Sequence, residues 1–269
     1  MALGPAFWQE ALAAPATRGT GPYGRLRPAD RRGIRLPKGF RSRIVARGGR
    51  AVGDTGYVWH RASDGAATYA TEDGGWILVS NSEVDEDGGA SAIRFRSDGT
   101  VAAAYRILSG TSRNCSGGAT PWGTWLSCEE VNDGLVWECD PWGSEPPRSL
   151  PALGVFKHEA ACVDPERGHV YLTEDLTDGG LYRFTPATPG DLSEGLLEIA
   201  TVGPDRAVRW TPVPDPSAAS TPTRVQVPGA TPFKRAEGIW FDSGVVYIAT
   251  TADSRILAYR TRTGRLGVI

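Results

Sequence analysis

An internal repeat constrains this chain more than any other feature. Four segments share one plan: an apolar stretch ending in polar or acidic residues, a short loop, then a stretch of alternating aromatic or basic residues. They are 76–83 with 92–95, 124–130 with 135–140, 170–175 with 181–184, and 246–251 with 256–259. Glu83 and Glu130 lie 47 positions apart, Glu130 and Asp175 lie 45 apart, and the step to Thr251 is 76. A Pro-rich insertion near 186–232, read as a loop between units and a candidate lid, accounts for the long step. A period of about 40–50 residues with short strands in each unit predicts the blades of an all-β β-propeller.

The units also extend upstream. Residues 159–164 and 237–242 align as E-x-x-x-x-D, each followed by a turn and the next apolar stretch. In antiparallel neighbours the start of one strand and the end of the next share an edge. Glu159 is therefore expected on one rim with Glu174, Asp175 and Glu237, and by the same logic with Glu83, Glu129 and Glu130. Carboxylates crowded in this way repel unless cations neutralise them, and oxygen donors favour calcium, magnesium, manganese or ferric iron over zinc. Acidic strand ends that are merely solvated would show the same spacing, so the periodicity leaves both readings open.

Composition narrows the alternatives. A chain of 269 residues, 40% hydrophobic and 22% charged, has the balance of a folded globular protein, not of a disordered or fibrous one. No apolar run approaches the roughly 18 residues of a membrane helix. The formal net charge is only −2, yet residues 1–50 hold ten Arg and Lys38 against Glu10 and Asp30. Those arginines are dispersed among Pro, Gly and Ala, so residues 1–38 read as an extension and not as a nucleic-acid-binding arm. Residues 39–269 are expected to form the propeller, with 39–45 as a strand of a partial fifth blade. The N-terminus shows no basic segment followed by an apolar core, so the sequence as written reads as cytoplasmic.

Gly19, Gly21 and Gly24 match G-x-G-x-x-G, but no strand precedes them and Pro22 opposes a helix, which leaves a turn-rich linker. Cys115, Cys128, Cys139 and Cys162 contain no C-x-x-C pair, so a closed zinc site has no support. Cys115 opens a segment in register with Glu159 and Glu237, which puts it near the rim; the other three fall in apolar strands, as inert thiols would. Trp122 and Trp125 read as packing residues, and His60 and His169 as local hydrogen-bonding groups.

Residues 114–130 (NCSGGATPWGTWLSCEE), 157–165 (KHEAACVDP), 170–175 (VYLTED) and 235–242 (RAEGIWFD) resemble the PhoX family of bacterial phosphatases. Residues 75–83 add weaker support. The resemblance implies a six-bladed propeller with an iron and calcium centre that hydrolyses small phosphate esters, in a family that includes exported members. It implies Glu83, Glu129 or Glu130, and Glu237 as metal ligands, Arg235 as the phosphate contact, and His158, Glu159, Glu174 and Cys115 as further candidates. One departure is the N-S-E of residues 81–83, where many members show N-H-E. The sequence also stops soon after the fourth repeat, so ligands from further blade strands are expected to be missing. A metal-binding propeller without activity and a calcium-dependent lactonase remain as alternatives to the phosphatase.

Overall fold

The computed structural model describes residues 22–269, which divide into a unit ending at Val45 and a unit Ala46–Ile269. The first 21 residues, and with them Gly19 and Gly21, lie outside the described part. In the first unit, residues 22–45 contain neither helix nor strand, so 39–45 is not the expected strand. That segment alternates Arg and Ser with only Phe40, Ile44 and Val45, too few apolar groups to bury a face. Order there comes from Asp30, whose carboxylate accepts the amides of Arg32 (2.7 Å) and Ile34 (3.1 Å) and the hydroxyl of Ser42.

The second unit is all β. Its first sheet runs β1 (Ser63–Ala70), β2 (Trp76–Ser82), β3 (Gly88–Phe95) and β4 (Val101–Thr111). The next runs β5 (Asn114–Ala119), β6 (Trp125–Glu129), β7 (Val136–Cys139) and β8 (Arg148–Ser149). The third is five-stranded: β9 (His158–Asp164), β10 (His169–Glu174), β11 (Leu181–Thr188), β12 (Asp191–Val202) and β13 (Val208–Pro212). The last holds β14 (Ala236–Asp242), β15 (Val245–Thr250), β16 (Arg255–Arg260) and β17 (Arg265–Val268). Every pairing is antiparallel between sequence neighbours, and the first strands β1, β5, β9 and β14 pack side by side in that order. This is propeller-blade architecture, laid out in four antiparallel sheets among the described residues. No described helix is long and apolar enough to cross a membrane.

Two-residue periodicity explains the stacking. Successive residues of a strand point to opposite faces, so a blade between two others must be apolar on both. Trp125 packs with Tyr69, Ile77 and Val79 of the first sheet, whereas its neighbour Leu126 packs with Leu172, Tyr182 and Phe184 of the third. Likewise Leu172 faces the second sheet while Tyr171 faces Ile239, Val246 and Ile248 of the last. Each fully buried side chain of this size contributes about 1.5–3 kcal/mol. Cys128, Cys139 and Cys162 are buried free thiols within these seams. His60 is buried against Ser91 (2.9 Å), while the buried Nδ1 of His169 has no partner.

The insertion near 186–232 differs from its expectation as a loop. Leu192, Leu197, Ile199 and Ala200 are buried and carry the long β12, which β13 extends. Prolines at both ends mask this strand in the sequence. Residues 213–235 hold no strand, only the short 3-10 turn Thr223–Val225.

Candidate metal centre

Four backbone hydrogen bonds fix the register of the rim. The amides of Glu83, Glu130, Asp175 and Thr251, each just past the second strand of a blade, donate to the carbonyls of Ala62, Arg113, Lys157 and Arg235. Those carbonyls stand just before the first strand of a blade, at 2.9, 3.0, 3.3 and 3.0 Å. Ala62, Arg113 and Arg235 take left-handed backbone angles (φ 45°, 46° and 52°), uncommon outside glycine and frequent at functional sites. Two residues further on, Asp64, Cys115, Glu159 and Glu237 form an inner row. The rim thus repeats a base, a spacer and a potential ligand, facing an acid just past the second strand, with Ala62 in place of the base in the first blade and Thr251 in place of the acid in the last.

The structure brings together most of the residues expected there. Ligand atoms of Asp64, Glu83 and Cys115 lie within 4.8 Å of one another, as do those of Cys115, Glu130 and Glu159, and each trio can hold a metal ion. Bases interleave with the acids. Arg113 reaches Glu83 (2.6 Å) and Glu130 (3.8 Å), and Lys157 reaches Glu130 (2.8 Å) and Asp175 (3.7 Å). Arg235 forks onto Asp175 at 2.8 and 2.7 Å and touches Glu237 at 2.9 Å. Thr251, in the fourth acid's place, donates to Glu237 (2.6 Å).

The remaining candidates point elsewhere, again because strand neighbours face opposite ways. The Glu129 carboxylate accepts the amides of Ser112 (2.9 Å) and Leu135 (3.2 Å) and the indole of Trp137 (3.0 Å). Glu174 accepts from Gly180 (2.9 Å), Tyr182 (2.8 Å) and Arg224 (3.0 Å). Both are structural acids in the same register, and Asp175 takes the rim place beside Glu174. His158 is fully buried, stacks on Phe156 at 3.6 Å, and faces the Gly154 carbonyl through Nε2 (3.0 Å). Burial lowers its pKa to about 4, so the ring is neutral and away from the rim. Trp122 and Trp125 bond Glu138 (2.7 Å) and Asn81 (2.9 Å).

Neighbouring blades hold the ligands in place. Asn81 of β2 donates to the carbonyls of Cys115 (3.1 Å) and Ser116 (2.7 Å), and Thr173 of β10 donates to that of Glu237 (2.7 Å). At Gly118 of β5, an added Cβ would collide with the Ala161 carbonyl of β9, so only glycine lets these strands approach.

The electrostatics match a site built for cations. Burial first, then the charge of Glu130, pushes Glu159 up to about 8 from 4.5. Burial and Glu130 also raise Glu83. The Cys115 thiol is pushed up by burial and by Glu159, whose Oε1 lies 3.5 Å from Sγ. Burial acts to raise Asp175, but Arg235, Glu130 and Lys157 together hold it below the usual range. A raised carboxyl pKa gives stability that is complete below the unfolded value and is lost as pH rises through the folded one. Metal-free protein is thus expected to lose thermal stability between pH 4.5 and about 8, a slope that Glu159→Gln reduces in melts at stepped pH.

A sequence profile described as alkaline phosphatase PhoX matches residues 87–140 and 131–267, well over half of the chain. The chain belongs to the PhoX family. Its match covers Cys115, Glu130, Glu159, Arg235 and Glu237, whereas Asp64 and Glu83 precede it. No curated protein matches the sequence. Among solved structures, this PhoX chain is similar to a Bacteroides fragilis protein described as a 6-phosphogluconolactonase, with 15% identity and a TM-score of 0.47. That match covers 88% of this chain, which spans 59% of the other's length. A nidogen/laminin complex shows 14% identity and a TM-score of 0.39, over 76% of this chain and 82% of the other.

Asp64, Arg113 and Lys157 escaped the sequence reading. The spacing Arg113-x-Cys115, Lys157-x-Glu159, Arg235-x-Glu237 carries the two bases in plain view. A second missed signal is E-E-V-N-D-G at 129–134 against E-D-L-T-D-G at 174–179, which aligns Glu129 with Glu174 and Glu130 with Asp175.

Proposed function

We propose that this protein is a metal-dependent phosphatase acting on small phosphate esters. The observation that carries the reading is the convergence of Asp64, Glu83, Cys115, Glu130 and Glu159 in two trios that share Cys115, linked through Lys157 and Asp175 to the guanidinium of Arg235, in a chain of this family. Those five residues would hold the cations, and carboxylates with a single thiol suit the iron and calcium that the resemblance implies. Bound there, the metals would neutralise charge developing on the phosphoryl group and acidify a water.

The chain's own groups do the rest. Arg235 is about half exposed and presents its fork to Asp175; a phosphate offers the same pair of acceptor oxygens, so the guanidinium can bind and orient the ester. Glu237 beside it fixes the guanidinium and adds an oxygen donor at the edge of the cluster. Arg113 and Lys157 balance the acids from the neighbouring blades.

The test is elemental analysis of purified protein together with p-nitrophenyl phosphate turnover before and after chelation. Iron with calcium and chelator-sensitive turnover is the expected result. Folded, metal-free protein that stays inactive after reconstitution would sink the reading.

A further inference from the structure

A cavity of about 450 Å³ adjoins the rim. It lies among the turn after β6, the segment before β9, the residues after Glu174 and the irregular part of the insertion at 217–224. Its size is that of a small-molecule site, roughly 300–1,000 Å³. Lys157 lines it, and the same ammonium lies 2.8 Å from Glu130 and 3.7 Å from Asp175, the acid that Arg235 holds, so one side chain joins the cavity to the rim.

The lining is of two kinds. Val155, Phe156 and Leu176 supply an apolar wall. Elsewhere in the lining, the side chains of Asn132, Asp133, Ser220 and Thr221 make no hydrogen bond within the described protein. An apolar face with uncommitted amide, carboxylate and hydroxyl groups is the surface that a hydroxylated ring satisfies, one side stacked and the other hydrogen-bonded. The far cation, Arg224, is already neutralised by Glu174 (3.0 Å) and Asp178 (3.0 Å). With Asp133 also in the lining, the cavity does not favour a second phosphate.

We propose that this cavity holds the alcohol portion of the substrate, and that the preferred ester is a monophosphate of a polyhydroxylated, sugar-sized alcohol. The proposal rests on the phosphatase reading for its phosphate end. The insertion, unique to the third blade among those described, is then the specificity element.

The test uses the full metal-loaded chain and two substrates, a hexose monophosphate and methyl phosphate. Ala219→Trp, an exposed insertion residue outside the cation cluster, fills the cavity. It is expected to lower kcat/KM about tenfold for the hexose ester and less than twofold for methyl phosphate. Asn132→Ala, on an exposed turn, is expected to give the same selectivity at about threefold. Calorimetric titration is expected to show tighter binding of the hexose monophosphate than of inorganic phosphate, a difference that Ala219→Trp erases. Turnover without this discrimination overturns the cavity assignment and leaves the phosphatase standing. A binding difference without turnover of any ester leaves the cavity and overturns the phosphatase. Loss of both refutes both.

Discussion

Glu130→Gln is expected to lower bound metal and to reduce phosphate-ester turnover by about 100-fold or more, while the protein stays folded. Residues that only support metal ligands change affinity or activity by roughly 10–100-fold, and Glu130 sits inside the cluster itself. Its carboxylate joins Cys115 and Glu159 and meets both Lys157 and Arg113. Glutamine keeps the shape and removes the charge. The sharper half of the prediction is its neighbour. Glu129→Gln leaves metal content unchanged, because that carboxylate is spent on Ser112, Leu135 and Trp137. It costs stability instead, about 1–3 kcal/mol for charged hydrogen bonds lost in a buried place. Metal analysis and denaturant melts of the two variants separate the roles; equal metal loss in both would overturn the facing assigned to them.

Gly118→Ala is expected to be among the most destabilising single-methyl changes in the chain. The new Cβ meets the backbone carbonyl of Ala161 on the next blade, and a backbone cannot swing aside as a side chain can. Overpacking of this kind costs up to about 3 kcal/mol, a fall in Tm of roughly 6–12 °C for a chain of this size. Gly238, on the equivalent strand of the last blade, has nothing within 4 Å of an added Cβ and an unexceptional backbone, so Gly238→Ala serves as the control. Its melting temperature is expected to hold or rise slightly. If both variants melt alike, close strand approach is not what requires the glycine.

The blades were legible because their apolar stretches recur with polar ends. The four repeat segments coincide with β2 and β3, β6 and β7, β10 and β11, and β15 and β16, and the E-x-x-x-x-D segments with β9 and β14. The rim was legible for Glu83, Cys115, Glu130, Glu159 and Glu237, since strand direction alone puts their backbones at one edge. Side-chain facing was harder. In E-E and E-D pairs the order of the two acids decides which reaches the rim, and counting carboxylates cannot tell Glu174 from Asp175. The E-x-x-x-D-G frame can, because the glycine marks where the loop turns back beneath the first acid. Asp64 was hidden in a strand, SDGAATYA, with almost no apolar signature. Residues 39–45 misled in the opposite direction, carrying the large apolar groups Phe40 and Ile44, which stay exposed. The insertion hid a strand because its prolines cluster at the ends while Leu192, Leu197 and Ile199 supply the burial between them.

The clamps from Asn81 to Cys115 and from Thr173 to Glu237 have a consequence for how such a chain can change. Each ligand takes its position from the sheet before its own, so a deletion within one blade displaces the donor atoms of the next. Tolerance to variation should therefore rise with distance from the inner strands. Outer edges can gain whole elements, as the third blade has with β13, while the two-residue offsets at the seams stay fixed.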